Sequence, residues 1–267
     1  MKTVTSHDGT TIAFDKAGQG LAVIVVDGAL CYRANGPSGP LAALLAEDFT
    51  VFNYDRRGRA DSGDTPPYAV EREVEDIDAV IEAAGGNAYL YGISSGAILA
   101  VEAASKPPSK VTKLALYEPP FILDDSRPPL PADYVPRLNA AIAAGRPGDA
   151  VRLFMTDAIR IPDEYLAPMQ DSPMWAGLEA VAHTIAYDGT VVGDTMSGKP
   201  LPKGRWAAAT MPTLVITGEL SEDFFHNGGR SLTADLPDAR HAILAGQDHN
   251  VSADVLAPVL GDFFAAS

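Results

Sequence analysis

The chain has 267 residues, 46% of them hydrophobic, which suits one large α/β domain or a domain carrying an insertion. Its formal charge of −15 disfavours nucleic acid and anionic membranes as partners, because both would be repelled. A single cysteine, Cys31, allows neither an internal disulfide nor a cysteine-based metal site.

Residues 3–6 and 11–15 flank the turn His7-Asp8-Gly9 and read as a hairpin. Residues 21–26 are a continuous β-branched run, as expected of a strand buried on both faces. A short helix over 41–46 and a second buried strand over 50–54 follow. Residues 71–84 carry Val74, Ile77, Val80 and Ile81 at helical spacing and stop at Gly85-Gly86. A strand over 88–91, a helix over 97–104 and a strand over 113–117 continue the alternation, which implies a parallel sheet covered by helices. The prolines from Pro119 to Pro136 then mark a linker into a helical stretch, with helices expected over 135–144, 149–160 and 178–187 and a loop over 195–203. From Pro212 the alternation resumes: strand 213–217, helix 229–236, strand 240–244 and helix 255–265. The expected architecture is a mostly parallel eight-stranded sheet domain, residues 1–121 and 210–267, interrupted by a helical cap at 122–209.

Gly92-Ile93-Ser94-Ser95-Gly96 lies between a strand and a helix, the setting of a nucleophile elbow. The turn strains the central residue, and glycines two positions to either side avoid a clash of neighbouring Cβ atoms. Ser94 is lifted to a helix N-terminus, where backbone N–H groups favour developing negative charge. A serine needs a base, and in such a chain the order is serine, acid, histidine. Of five histidines, His249 follows the last strand in a loop before the final helix, the place from which it could overhang Ser94. The common place for the acid, three residues beyond Gly218, holds Ser221. Glu118, at the end of the strand that follows the elbow helix, is the favoured acid. Asp223, Glu222 or a dyad without an acid are the alternatives.

The expected oxyanion donors are the N–H groups of Ser95 and of Ala29, the latter in the loop Asp27-Gly28-Ala29. Asp27 is expected to brace that loop, and Cys31 to be a small packing residue. Asp55-Arg56-Arg57-Gly58-Arg59-Ala60-Asp61-Ser62-Gly63 reads as a turn in which Arg and Asp pair to fix the loop. Tyr32, Phe154, Trp175 and His183 are candidates for the substrate pocket.

Together the Asp27-Gly28 loop, the 55–59 turn, the elbow and the Asp248-His249 loop resemble the α/β-hydrolase superfamily across essentially the whole chain. The Ser-Ser-Gly elbow, Asp-Gly in place of His-Gly and a glutamate after the sixth strand look like the zearalenone-type lactone hydrolases. Haloalkane dehalogenases share that glutamate placement but use an aspartate nucleophile where this chain has Ser94, and the same difference argues against an epoxide hydrolase. The resemblance implies a serine hydrolase acting on a small apolar ester or lactone. Alternatives on the same scaffold are C–C bond hydrolysis, perhydrolysis of the cofactor-free haloperoxidase kind, or a ligand receptor retaining a slow triad.

No CxxC, HExxH, Walker A or GxGxxG pattern occurs, so neither cofactor nor metal is expected. No run approaches the about 20 apolar residues of a membrane span, and the first residues lack an apolar leader core, so a cytoplasmic location is expected. A homodimeric state is left open.

Overall fold

The computed structural model describes residues 1–266. β1 (Lys2–Thr5) and β2 (Thr11–Ala17) form the expected hairpin, and β2 pairs antiparallel with β4 (Thr50–Tyr54). Every later pairing is parallel: β4 with β3 (Ala22–Val26), β3 with β5 (Ala88–Ile93), β5 with β6 (Val111–Tyr117), β6 with β7 (Thr213–Gly218) and β7 with β8 (Ala239–Leu244). The eight-stranded sheet has the order β1-β2-β4-β3-β5-β6-β7-β8.

The central strands are apolar on both faces, and their alternate side chains feed two cores. On β3, Val23 and Val25 join the core under α1 (Ser38–Leu45) and α10 (Ala253–Ala265). Ile24 and Val26 join the opposite core, with α2 (Val70–Ala84), α3 (Ser95–Ala104) and α9 (Asp223–Asp235). β4 lies on one side of β3 and β5 on the other. The loops leaving β3 and β5 therefore diverge, opening a crevice at the carboxyl ends of these strands, where open α/β sheets bind ligands.

Between β6 and β7 the chain runs through α4 (Tyr134–Ala143), α5 (Pro147–Leu153), α6 (Asp163–Gln170), α7 (Pro173–Ala180) and α8 (Ile185–Val192). These helices share an apolar cluster of their own that includes Leu138, Val151, Leu166 and Trp175. Two expected helices form differently. The one over 149–160 leaves α-geometry after Leu153 and winds as a π-helix from Phe154 to Ile159, ending at Arg160 with φ 67°. The one over 178–187 is broken by a 3₁₀ turn at Ala182–Thr184, where Thr184 Oγ1 returns a hydrogen bond to Val181 O and receives one from Arg59. α6 is an addition to the sequence reading: it starts after Pro162 and tolerates Pro168 inside it. Among the described residues no helix is long and apolar enough to cross a membrane.

Candidate active site

The elbow forms because β5 must turn at once into α3. Ser94 takes φ 58° and ψ −129°, a region that costs a non-glycine residue roughly 1–3 kcal/mol. Its flanking glycines are sterically required: a Cβ on Gly92 would lie 2.4 Å from Gly96 O, and one on Gly96 would lie 2.3 Å from Val26 O. Ser94 N donates to Tyr117 O, which ties the elbow to β6.

The end of β6 also organises the histidine loop. Glu118, fully buried, accepts from Gly218 N at 2.6 Å and from the Ser221 hydroxyl on Oε1. Its Oε2 lies 2.7 Å from His249 Nδ1. The preceding Tyr117 donates its hydroxyl to Asp248 O at 2.6 Å, so one strand end holds both the ring and the backbone of the histidine loop. Gly218 lets that loop cross the end of β7, because a Cβ there would meet Gln247 O at 2.4 Å. Phe225 stacks on the imidazole at 4.6 Å between centroids. Nδ1 is thus committed to Glu118, and Nε2 is left for the cavity that both His249 and Ser94 line. A direct Ser94–His249 hydrogen bond is not closed in this conformation; such bonds often tighten only with substrate bound.

Ser221 therefore stands as a hydrogen-bond donor to a carboxylate that reaches in from the neighbouring strand. Glu222 is mostly exposed and pairs with Arg127, and Asp223 begins α9. His226 and His241 converge on Thr217 Oγ1, and His7 is exposed beside Glu75.

The loop after β3 is shaped by two buried arginines. Arg59 Nη1 donates to Gly28 O at 2.5 Å and to Cys31 O at 2.9 Å, and Arg56 Nη1 donates to Asp27 O at 3.2 Å. In a trans peptide the N–H opposes the C=O. Pulling the Gly28 carbonyl toward Arg59 therefore turns the Ala29 N–H the other way, and Ala29 lines the cavity with Ser94 and Ser95. Both arginines share Asp188 of α8 at 2.6 Å, and the Ser95 hydroxyl donates to the same carboxylate at 2.7 Å. Burial alone would raise the pKa of Asp188, but Arg56 and Arg59 hold it below the usual carboxylate range. Arg56 is completed by a two-point pair with Glu73, and Arg57 by one with Asp76. Arg–Asp pairs fix the 55–63 loop as expected, with partners outside it: Asp55 and Asp61 pair with Arg33, and the loop's arginines pair with residues on α2, on α8 and at Asp8. Asp27 accepts from Ser38 Oγ, as a bracing residue would. Burial pushes the Cys31 thiol up to about 12, so it is no thiolate at neutral pH.

The cavity measures ≈ 260 Å³, just under the about 300–1,000 Å³ typical of drug-sized ligand sites. Its inner wall is the elbow, Ala29 and His249, and its outer wall includes Tyr134, Phe154 and Val192 of the helical segment. Of the four pocket candidates, Phe154 reaches it. Trp175 is buried in the cluster of the helical segment and donates to Glu179. His183 faces Asp64 at 3.7 Å and the edge of Tyr187, and Tyr32 bridges to Asn35. The sequence reading passed over Asp188 and Arg127; neither carries a motif, and both matter through contacts made far along the chain. No group of three or more His, Cys, Asp or Glu suited to a metal occurs among the described residues.

A family model described as the alpha/beta hydrolase family matches residues 18–259. An alpha/beta hydrolase from Sphaerobacter thermophilus is 51% identical and superposes with a TM-score of 0.90, covering 99% of this chain and 100% of the other. The enol-lactonase from Burkholderia xenovorans (19% identity, TM-score 0.72, 99% and 100% covered) and an esterase from Exiguobacterium antarcticum (19%, 0.73, 99% and 99%) share the fold. With the matching model spanning most of its length, and with its eight-stranded sheet, this chain belongs to the alpha/beta hydrolase family and has hydrolase chemistry as its activity.

Proposed function

We propose that the protein is a serine hydrolase that cleaves a small carboxylic ester or lactone through an acyl-enzyme on Ser94. The observation that carries this reading is the 2.7 Å pair between His249 Nδ1 and buried Glu118, facing a serine held at a strained elbow on the same cavity. His249 Nε2 takes the Ser94 proton as Oγ attacks the carbonyl carbon. The Ala29 and Ser95 N–H groups receive the oxyanion, a contribution of a few kcal/mol to lowering the barrier. His249 then protonates the leaving alkoxide, and a water molecule activated by the same ring releases the acid. Glu118 fixes the tautomer and stabilises the imidazolium. The helices between β6 and β7 act as a cap whose apolar side chains select the acyl group. Ester and lactone hydrolysis are among the reactions this fold carries, as in an enol-lactonase and an esterase, beside the C–C bond cleavage of another relative.

Stopped-flow hydrolysis of p-nitrophenyl butyrate provides the test. A burst of one equivalent followed by steady turnover is expected, with Ser94→Ala lowering kcat by about 10⁴-fold or more. Turnover that persists in Ser94→Ala would sink the reading. One slow acylation without turnover would mark a ligand receptor instead.

A further inference from the structure

Four arginines are almost fully buried, and three of them pair closely with carboxylates that are themselves at most 12% exposed. Arg56 pairs with Glu73 and Asp188, Arg57 with Asp76 and Asp8, and Arg59 with Asp188, all at 2.6–2.9 Å. The fourth, Arg127, is 6% exposed and differs in the carboxylate it meets. Its one carboxylate partner, Glu222, is 3.3 Å away and has a side chain that is 62% exposed. Nη2 donates to the carbonyls of Ala158 and Ile159, while Nε, shut off from solvent, has no partner. Its guanidinium lies over the Phe224 ring at 4.5 Å. Burial lowers the pKa of Arg127 against the pull of Glu222, the reverse of the direction at Arg56 and Arg57.

Its position gives this incomplete pairing a use. Ala158, Ile159, Glu222 and Phe224, the groups that surround the guanidinium, all line the cavity shared by Ser94 and His249. Among the described lining residues Arg127 is the one lysine or arginine, and most of the others on the outer wall are apolar. A cation buried in an apolar wall pays a desolvation cost that a solvent-exposed partner repays poorly. A ligand carboxylate entering the cavity would meet it in a water-poor setting, where an arginine–carboxylate hydrogen bond is strong.

We propose that Arg127 forms a carboxylate-binding subsite, so that the ester or lactone held at Ser94 carries an anionic carboxylate away from its reacting carbonyl. The proposal rests on the acyl-enzyme reading and sharpens its substrate class from a small apolar molecule to a small apolar one with one acidic end. Arg127 holds that end, and Glu222, exposed and weakly held, moves aside toward solvent. The cavity, at ≈ 260 Å³, has room for a compact acyl group.

Boronic acids, which form a reversible tetrahedral adduct with a nucleophilic serine, separate the two ideas. Phenylboronic acid is compared with its 3-carboxy and 4-carboxy derivatives by calorimetry on the full-length protein at pH 7.5. At least one carboxylated compound should bind at least 10-fold more tightly than phenylboronic acid to the wild type. In Arg127→Gln that advantage should vanish while phenylboronic acid binds as before, and Arg127→Lys should retain part of it. Equal binding of all three by the wild type overturns the subsite and leaves Ser94 intact, a result that needs no variant to fold. An advantage that survives in folded Arg127→Gln overturns it as well. Failure of phenylboronic acid itself to form an adduct would instead overturn the acyl-enzyme reading, and the subsite with it.

Discussion

Glu118 is fully buried, and its two oxygens serve three donors from two segments: Gly218 N–H and the Ser221 hydroxyl at the end of β7, and His249. A carboxylate so placed can orient one imidazole and little else. Glu118→Gln should lower kcat by roughly 10²–10⁴-fold with KM little changed, while Asp223→Asn stays near wild type in the same p-nitrophenyl ester assay. Near-normal kcat in Glu118→Gln would remove it from the proposed triad. Asp27 makes a different prediction. Burial pushes its pKa up to about 6, Ser38 meets one oxygen and the other has no partner. The folded state therefore binds this proton more tightly than the unfolded chain does. Its stability falls as pH rises from about 4 to 6 and stays reduced above, by about 3 kcal/mol at most. Asp27→Asn should accordingly raise Tm more at pH 8 than at pH 5. An equal shift at both values would refute the assignment.

At the scale of elements, α8 is the joint between the helical segment and the candidate active site. Its Asp188 holds Arg56, Arg59 and Ser95 together, and those arginines set the carbonyls of the 27–31 loop. Asp188→Asn leaves Arg59 buried with no carboxylate, a loss of about 3–5 kcal/mol for a broken buried pair. A Tm lower by roughly 10 °C is expected. Ser95→Ala removes one hydrogen bond to Asp188 but keeps the Ser95 N–H and the arginine pairs. It should lower kcat a few-fold at unchanged KM and leave Tm within a few degrees; a raised KM with normal kcat would assign Ser95 to substrate binding instead. The π-helical stretch Phe154–Ile159 is the second joint, since it supplies Phe154, Ala158 and Ile159 to the cavity and receives Arg127 on its last carbonyls. Its wider winding was not legible in the sequence, because 149–160 keeps an ordinary helical composition and its geometry follows from what it packs against.

For the molecule as a whole, the charge of −15 predicts no binding of duplex DNA or of phosphatidylserine vesicles at 150 mM salt, read by fluorescence anisotropy and by co-sedimentation. Micromolar binding of either would contradict it. The sequence determined by itself whatever depends on neighbours along the chain. Two-sided apolar runs specify buried parallel strands, Val74, Ile77, Val80 and Ile81 specify the buried face of α2, and Gly92 and Gly96 specify the elbow by steric exclusion. Chain order singled out His249, and the serine at position 221 turned attention to Glu118. Only the tertiary structure decided how these residues are supported. Asp188 lies 93 positions from Ser95, Ser221 lies 103 from Glu118, and Arg127 sits in a proline-rich linker with no pattern to mark it. Aromatics of the helical segment such as Trp175 and Phe154 look alike in sequence, and packing alone turned one into a core and the other to the cavity. Local sterics and periodicity are written into short segments, whereas the pairing of buried charges is fixed by which strand and helix ends meet above the sheet at Ser94.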